Sequence, residues 1–391
     1  MGVPTHRPDL ALVLSGGGAR AAYQVGFLRL LARELPHIVP GILTGVSAGG
    51  INAAYLGVRQ EPFSEKVEDL ARIWSSLSID EVFRVDLRDL ASRTLRWGGR
   101  LMAGGASPLP AARSFVDTAP LRVLLERVLE VDDGVLAGIH QSLGAGWLRA
   151  VALTASNYTT GQSITWVQTR DDCRIPTWER PQRKSDTCAL HVDHVMASAA
   201  LPLLFPAVHI DGAWYGDGGI RLTAPLSPAV HLGAKQIIAV STRYARSREE
   251  ADRPAVAGYP PPAQVAGVLL NAIFLDLLDG DALHMQQIND LLTRLPEGQR
   301  DGLRHIDLLV LRPSEDLGRL ANAYEPELPR AFRFLTRGLG TRETRSNDLL
   351  SLVMFQSNYI KRLIEMGEAD AAAKISEIRG FLCDGAERAP G

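Results

Sequence analysis

Near its beginning the chain shows one pattern twice: a run of apolar residues, a turn of small residues, and then apolar residues at helical spacing. The first copy is "LALVLSGGGARAAYQVGFLRLLARE", in which three consecutive glycines follow the apolar run. The second is "GILTGVSAGGINAAYLGV", whose turn falls at Gly45 to Ser47. An unbroken apolar run bounded by a turn is typical of a buried strand, and the spacing that follows predicts a helix. Two strand–turn–helix units in succession predict parallel strands joined by crossover helices.

Further along, the two kinds of element continue. Helices are predicted over residues 63–83, over "TAPLRVLLERVLE" with Thr118 as the N-cap, and over "VDHVMASAALP". Strands are predicted in "LRAVALTASNY", "QSITWVQTR", "VHIDGAWYGDGGIRL" with its turn, "KQIIAVST" and "IDLLVLRP". Residues 91–115 and 243–264 are rich in proline and predict loops. The pattern therefore predicts an α/β fold, with a mostly parallel sheet between helices and a mostly helical C-terminal part.

One stretch is long and apolar enough to suggest a membrane span. No charged residue occurs from Leu35 to Val58. Prolines and glycines interrupt it, at Pro36, Pro40, Gly41, Gly45, Gly49, Gly50 and Gly57. A buried strand, a tight turn and a buried helix fit these interruptions better than a continuous helix in lipid.

Composition narrows the function classes. The 391 residues carry a net charge of −2, and 46% are hydrophobic and 22% charged, as in ordinary globular proteins. A nucleic-acid-binding protein would need a basic excess, so we expect no nucleic acid partner. Three cysteines are too few for a disulfide framework and favour a reducing compartment. The first residues do not have the pattern of a secretory signal, so we expect a cytoplasmic protein.

The turn of the second unit carries candidate chemistry. Gly45-Val46-Ser47-Ala48-Gly49 fits G-x-S-x-G, the nucleophile elbow, in which a sharp strand-to-helix turn exposes a serine hydroxyl. Small residues must flank the serine because the turn is so tight. The motif is short, but the predicted strand before it and helix after it are the context that it requires. Ser47 is therefore the candidate nucleophile.

The glycine run of the first unit fits a role beside such a serine. Attack on an ester creates an oxyanion, which needs backbone N–H donors that no side chain shields. Gly16, Gly17 and Gly18 would supply them at a helix N-terminus, and Arg20 would add a nearby positive charge. The alternative is a nucleotide-binding loop, because Gly16, Gly18 and Ala21 fit G-x-G-x-x-A. That interpretation expects an acidic residue at the end of the next strand, where this chain instead has the serine elbow.

The base that would serve Ser47 is less obvious. Asp217-Gly218-Gly219 is one candidate, although Asp-Gly is also the favoured pair of a hairpin turn. A Ser-Asp-His triad would need a later histidine, and the candidates are His231, His284 and His305. None lies in a predicted loop that suits the role, so surface or packing roles are favoured for them. The spacing of Cys173, Cys188, His191 and His194 matches no standard zinc site, and we expect no metal.

Taken in order, the three motifs Gly-Gly-Gly-x-Arg, Gly-x-Ser-x-Gly and Asp-Gly-Gly resemble those of the patatin-like phospholipase family. "HVMASAALPLLFPAVHIDG" before Asp217 and "GAKQIIAVST" after it extend the resemblance over residues 10–242. The resemblance implies a three-layer α/β/α core over 8–315, with a helical extension over 316–391 packed on it. It also implies hydrolysis of lipid acyl esters through an acyl-serine, without a cofactor.

The same resemblance implies a role for each motif. Ser47 and Asp217 would form a catalytic dyad, and Gly16, Gly17 and Gly18 the oxyanion hole. The supporting residues would be Arg20, Gly45, Gly49, Gly218 and Gly219. A free aspartate is a weak base near neutrality, with a pKa of about 3.9. It can still accept the proton within hydrogen-bond reach of the serine, and partial burial would raise its pKa. A non-catalytic lipid-binding scaffold is the remaining alternative, and the presence of both Ser47 and Asp217 disfavours it.

Residues 91–115 are the candidate contact with a lipid surface. They contain no acidic residue and include Trp97, Leu101 and Met102 beside four arginines, Arg93, Arg96, Arg100 and Arg113. Such a stretch is either a solvated loop or a lid that contacts anionic lipid head groups.

Overall fold

The computed structural model describes residues 5–84, 114, 116–173, 175–252, 256, 258–274, 277–329, 332–333, 337 and 346–387. The strands are β1 (Thr5–Leu14), β2 (Ile38–Val46), β3 (Ala150–Asn157), β4 (Ser163–Thr169), β5 (Glu179–Arg180), β6 (Arg183–Thr187), β7 (Val208–Ile210), β8 (Ala213–Asp217), β9 (Gln236–Val240) and β10 (Asp307–Leu311). The first α-helices are α1 (Ala22–Glu34), α2 (Ala48–Val58), α3 (Phe63–Ser76), α4 (Ile79–Val82), α5 (Ala119–Val128), α6 (Ala137–Gly144) and α7 (Val192–Ser198). They are followed by α8 (Ser227–His231), α9 (Arg248–Ala251), α10 (Pro262–Phe274), α11 (Leu277–Arg294), α12 (Leu317–Tyr324), α13 (Asp348–Val353), α14 (Ser357–Ala373) and α15 (Ile375–Glu387).

The strands form one sheet in the order β10-β9-β1-β2-β3-β4-β6-β5. Strands β10, β9, β1, β2 and β3 are parallel to one another, and β4 runs antiparallel to β3. This arrangement follows from the connections, since each parallel pair near the start of the chain is joined through a helix. The sheet is therefore mostly parallel at its centre, as the sequence predicts.

Alternate residues of the central strands point to opposite faces and belong to two apolar cores. On β1, Leu10, Leu12 and Leu14 join the core beneath α1, α2 and α14. Ala11 and Val13 face the other way, into the core that α8 and α11 cover. This period of two explains the continuous apolar run in the sequence, because a central parallel strand is buried on both faces. The structure confirms the α/β class, with helices on both sides of the sheet.

Four local features differ from the sequence-based predictions or refine them. The helix predicted over 63–83 is interrupted after Ser76, because Ser78 and Glu81 form a capping box that begins α4. The side chain of Thr118 does not cap α5. The carboxylate of Asp117 instead accepts a hydrogen bond of 2.9 Å from the N–H of Ala119.

The turn of the hairpin between β7 and β8 lies at Asp211 and Gly212, both with positive φ, and not at Asp217-Gly218. The loop predicted over 243–264 includes the short helix α9 and the first turn of α10. Of the proposed lipid-contact stretch 91–115, only Ser114 lies within the described residues.

The C-terminal helices lie directly on the first strand–turn–helix unit. Helix α14 packs along α1 so closely that a Cβ on Gly26 would lie 1.9 Å from the carbonyl oxygen of Ile364. Helix α13 lies against the glycine loop that follows β1. In the part of the chain that the structure describes, no helix is both long and apolar enough to span a bilayer.

Candidate active site

Ser47 lies on the turn between β2 and α2, in a backbone conformation that residues other than glycine rarely adopt. Its φ is 55° and its ψ is −133°. The turn closes because its two flanking glycines lack side chains: a Cβ on Gly45 would lie 2.5 Å from the carbonyl oxygen of Gly49, and one on Gly49 would lie 2.3 Å from that of Leu14. A strained serine between two obligatory glycines is the geometry expected of a nucleophile elbow.

A serine on another helix holds this elbow in place. The backbone N–H of Ser47 donates a hydrogen bond of 3.0 Å to Oγ of Ser198, at the end of α7. Ser198 in turn donates to the carbonyl oxygen of Thr154 on β3, at 2.7 Å. The side chain of Ser198 is fully buried, and these two bonds supply the hydrogen-bond partners that its buried hydroxyl needs. Sequence analysis did not identify Ser198, although it lies in the small-residue stretch "MASAALP" that carries part of the family resemblance.

Strand β3 brings Asp217 to the serine. The last residue of β2, Val46, pairs with Thr154 of β3. The next residue of β3, Ala155, pairs with Asp217 at the end of the antiparallel strand β8. Strands β2 and β8 therefore meet end to end along the same edge of β3. Ser47 and Asp217 lie at the point where these two strands meet.

The carboxyl group of Asp217 is completely buried and only partly satisfied. Oδ1 accepts a hydrogen bond of 2.9 Å from the N–H of Gly219. Oδ2 has no partner with standard hydrogen-bond geometry among the described residues, although the Ser47 hydroxyl is near enough to lower the pKa of this group. Looser contacts of this kind are common in active sites without a bound substrate.

Burial changes the proton affinity of this carboxyl group. Desolvation raises the pKa of Asp217 to about 7, against the opposing effects of the Ser47 hydroxyl and the Gly219 N–H. The charged form is disfavoured because none of the described residues places a cation beside this buried carboxyl group. An aspartate that exchanges a proton near neutrality is better suited to act as a base than a free aspartate.

The three glycines after β1 each lie against a different group. A Cβ on Gly16 would lie 3.0 Å from Cβ of Ser47, and one on Gly17 would lie 2.4 Å from Oγ1 of Thr242. Gly18 has a φ of +54°, and its Cβ would lie 2.0 Å from the carbonyl oxygen of Leu352 in α13. A side chain at any of these three positions would collide with neighbouring protein atoms, so the loop requires glycine. The N–H groups of Gly17 and Gly18 have no acceptor among the described residues, so they can serve an oxyanion.

Arg20 does not face the elbow as a free cation. Its guanidinium forms an ion pair of 2.6 Å with Asp348 and donates a hydrogen bond of 2.7 Å to Ser351, both in α13. The side chains of Arg20 and Asp348 are only 3% and 14% exposed. The supporting role expected for Arg20 is therefore refined: its contacts fasten the glycine loop to a segment more than three hundred residues away in the chain.

An apolar cavity opens beside Ser47 on the α1–α2 face of the sheet. It has an empty volume of about 680 Å³, and Ser47 and Gly18 form one part of its wall. The rest is formed by side chains from α2, α3, α5, the segment after α7 and the C-terminal part, among them Ile51, Tyr55, Leu70, Ile73, Trp74, Leu77, Leu121, Leu124, Leu125, Phe205 and Phe355. Its apolar walls suit a hydrocarbon chain.

The structure does not place the three candidate histidines in this site. His231 stacks on Trp178, with ring centroids 4.5 Å apart, and lines a different cavity on the other face of the sheet together with His284. Nδ1 of His305 pairs with Asp307 at the beginning of β10. Through the register of the parallel strands, Leu308 of β10 is level with Ile42 of β2, five residues before Ser47. His305 precedes Leu308, so it lies more than about 17 Å from Ser47 along the strand direction.

The geometry also fits neither the nucleotide-binding loop nor the zinc site considered from the sequence. The glycine loop is covered at Gly18 by Leu352, and no acidic residue follows β2, where a ribose partner would be needed. His194, one of the residues weighed for zinc, stacks on Trp166 and accepts a hydrogen bond from the N–H of His191. Within the described ranges, no group of three or more histidine, cysteine or acidic side chains could hold a metal ion.

Solved structures similar to this protein exist, whereas no curated sequence matches it. The fold is similar to human GIVD cytosolic phospholipase A2 (13% identity, 96% of this chain and 62% of that chain, TM-score 0.47) and to VipD from Legionella pneumophila (12%, 92% and 67%, 0.35). A third similar structure is the type III effector ExoU (13%, 92% and 54%, 0.31). The chain thus spans between 54% and 67% of the length of these three proteins.

The family assignment rests on a different comparison, because structural likenesses with TM-scores below 0.5 carry no argument about the family. The family model for patatin-like phospholipases matches residues 12–230. That range is more than half of the chain and contains the glycine loop, the serine elbow and Asp217. The chain belongs to the patatin-like phospholipase family.

Proposed function

We propose that this protein is a lipid acyl hydrolase that uses Ser47 as nucleophile and Asp217 as base. The observation that supports this most directly is the position of Ser47, which is 2% exposed. It lies between Oδ2 of Asp217, a buried oxygen without a hydrogen-bond partner among the described residues, and a cavity of about 680 Å³ lined by apolar side chains. A hydroxyl between a base and an apolar chain site is what hydrolysis of a lipid ester requires.

The first half of the reaction forms an acyl-serine. Oγ of Ser47 attacks the carbonyl carbon of the ester, and its proton passes to Oδ2 of Asp217. The carbonyl oxygen becomes an oxyanion, and the unpaired N–H groups of Gly17 and Gly18 stabilise it. When the intermediate collapses, the bond to the alcohol breaks and Asp217 returns the proton to the departing alkoxide.

The second half uses water in place of the serine. Asp217 takes a proton from a water molecule that attacks the acyl-serine, and the oxyanion forms again at the glycine loop. Collapse breaks the bond to Ser47, which recovers a proton from Asp217 as the fatty acid leaves. The acyl chain lies in the apolar cavity throughout, so its burial contributes about 0.8 kcal/mol per methylene group to binding.

A panel of esters tests this proposal. The parent protein is expected to hydrolyse p-nitrophenyl esters, with a KM that falls as the chain lengthens from acetate to decanoate, and to release fatty acid from phospholipid vesicles. Ser47→Ala should abolish both activities and keep the circular dichroism spectrum, while Ser76→Ala, at an exposed serine, should leave them unchanged. A folded parent protein that hydrolyses none of these esters would instead support the lipid-binding scaffold.

A further inference from the structure

A second cavity lies on the opposite face of the sheet, between α8, α11 and the segment that leads into β10. Its empty volume is about 1180 Å³. We call it the α8–α11 cavity, and the side chains that matter here are Arg183, His231, Asp281, His284 and Arg304. It shares no lining residue with the cavity beside Ser47.

The two arginines of the α8–α11 cavity form no ion pair with a carboxylate of the described residues. The guanidinium of Arg183 makes no hydrogen bond or ion pair with another described residue, and its Nη1 is buried. Arg304 donates to the carbonyl oxygen of Val230, at 2.7 Å, but has no carboxylate partner among the described residues. A buried guanidinium nitrogen without an acceptor is costly, because an arginine cannot lose its proton to avoid the charge.

The cations of this cavity also act on one another. Burial lowers the pKa of His231, and the charges of Arg180, Arg183 and Arg304 lower it further. Burial lowers the pKa of Arg304 too, with Arg149 contributing. These effects indicate that positive charge is concentrated here without compensation.

Asp281 is the one acidic side chain among the described residues that line the cavity, and one of its oxygens is already engaged. Its Oδ2 already accepts a hydrogen bond of 2.8 Å from the N–H of Leu226. Burial raises the pKa of Asp281, although the charges of Arg183 and His284 oppose the shift. A bound anion would supply the missing negative charge and accept hydrogen bonds from the arginines.

Much of the remaining wall is apolar and partly open to solvent. Its larger apolar side chains are Val230, Met285, Ile288, Leu303 and Ile306, and Ser227 and Asn289 add two polar groups. Ile288 and Leu303 are 42% and 56% exposed, which places apolar surface next to the unpaired arginines. On α11, Asp281, His284, Met285 and Ile288 recur at helical spacing, so a single helix face presents both the polar and the apolar parts.

We propose that the α8–α11 cavity binds an amphiphilic anion, whose carboxylate or phosphate group pairs with Arg183 and Arg304 and whose apolar part lies on Ile288 and Leu303. The site does not depend on the catalytic assignment of Ser47. A fatty-acid carboxylate and an alkyl phosphate share this chemistry, and the experiment separates them.

Calorimetric titration of the Ser47→Ala protein with octyl phosphate, octanoate, inorganic phosphate and octyl glucoside tests the site. Octyl phosphate or octanoate should bind more tightly than inorganic phosphate, and whichever binds more tightly identifies the anionic group. Arg183→Gln with Arg304→Gln should weaken that binding at least tenfold, whereas Arg72→Gln, at an exposed surface pair, should not. Equal binding by the arginine variant, or binding of neutral octyl glucoside that matches the anions, would overturn the proposal.

A measurement on the Ser47→Ala protein with both arginines intact covers the case in which the arginine variant fails to fold. A pH titration by NMR with ¹³C-labelled histidine, in which His231→Asn identifies the His231 signal, follows the pKa of His231. The tighter of the two amphiphiles should raise that pKa, because the bound anion offsets the arginine charges. An unchanged His231 pKa at saturating ligand would refute binding in this cavity.

Discussion

The ion pair between Arg20 and Asp348 should be a main determinant of stability around the glycine loop. Asp348→Ala leaves the guanidinium of Arg20, which is 3% exposed, without its carboxylate. Removing one partner of a buried pair costs about 3–5 kcal/mol. Arg20 keeps the hydroxyl of Ser351 at 2.7 Å and the backbone oxygen of residue 348 at 3.3 Å, so we expect the lower end, about 3 kcal/mol.

Urea unfolding at pH 7 measures this loss, and two further variants identify its cause. Ser351→Ala removes the bond that Arg20 donates to the hydroxyl and the bond that the hydroxyl donates to the backbone oxygen of Asp348, and it should cost about 2 kcal/mol. Arg20→Met combined with Asp348→Ala should be more stable than Asp348→Ala alone, because no unpaired charge remains. The reasoning would be refuted by a loss below about 1 kcal/mol for Asp348→Ala, or by a double variant that loses the sum of the two single losses.

Asp348→Ala should also lower the rate of catalysis. Helix α13 carries Asp348 and also the carbonyl oxygen of Leu352, which lies against Gly18. Loosening α13 should therefore displace the proposed oxyanion donors more than the acyl cavity. At a temperature where Asp348→Ala is still folded, kcat for a short-chain ester should fall while KM changes little. A rise in KM at constant kcat would instead place the effect on the cavity.

Four further predictions concern the site itself. Ser198→Ala removes the acceptor of the elbow N–H, so urea unfolding should show a loss of about 1–3 kcal/mol and ester assays a lower kcat; unchanged values would contradict the positioning role. Gly18→Ala would bring a Cβ within 2.0 Å of the Leu352 carbonyl oxygen, so activity and stability should both fall, whereas Gly144→Ala, with no atom within 4 Å of its Cβ, should be tolerated. The plot of kcat/KM against pH should rise with an apparent pKa near 7, because only ionised Asp217 accepts the proton, and a flat profile from pH 5 to 9 would argue against this base. The raised pKa also means that the native state holds this proton more tightly than the unfolded chain does. Asp217→Asn should therefore match the parent in stability below about pH 4 and exceed it increasingly up to about pH 7, as urea unfolding at several pH values can show.

The parts of the site that depend on nearby residues could be predicted from the sequence. The elbow is specified by glycines two positions before and after Ser47, and the buried strand before it is visible as an apolar run. The break between α3 and α4 was also readable, since Ser78 and Glu81 have the spacing of a capping box. Each of these features is decided within about ten residues of chain.

The parts that depend on distant pairing could not be predicted in this way. Asp217 meets Ser47 only because β8 continues the edge of β3 where β2 ends, and no local pattern encodes that register. Its selection from the sequence rested on the family resemblance. The partner of Arg20 lies 328 residues away in α13, and Ser198 is a serine among small residues whose importance comes from the elbow it supports.

Labelling with an alkyl fluorophosphonate, followed by intact and peptide mass spectrometry, tests the Ser47–Asp217 dyad most directly. One adduct should form, on the peptide that contains Ser47. It should be absent in Ser47→Ala and at least a hundredfold slower in Asp217→Asn, because the hydroxyl then has no base. Labelling should proceed at the parent rate in His231→Ala, His284→Ala and His305→Ala. An adduct on another residue, or parent-rate labelling of Asp217→Asn, would contradict the dyad.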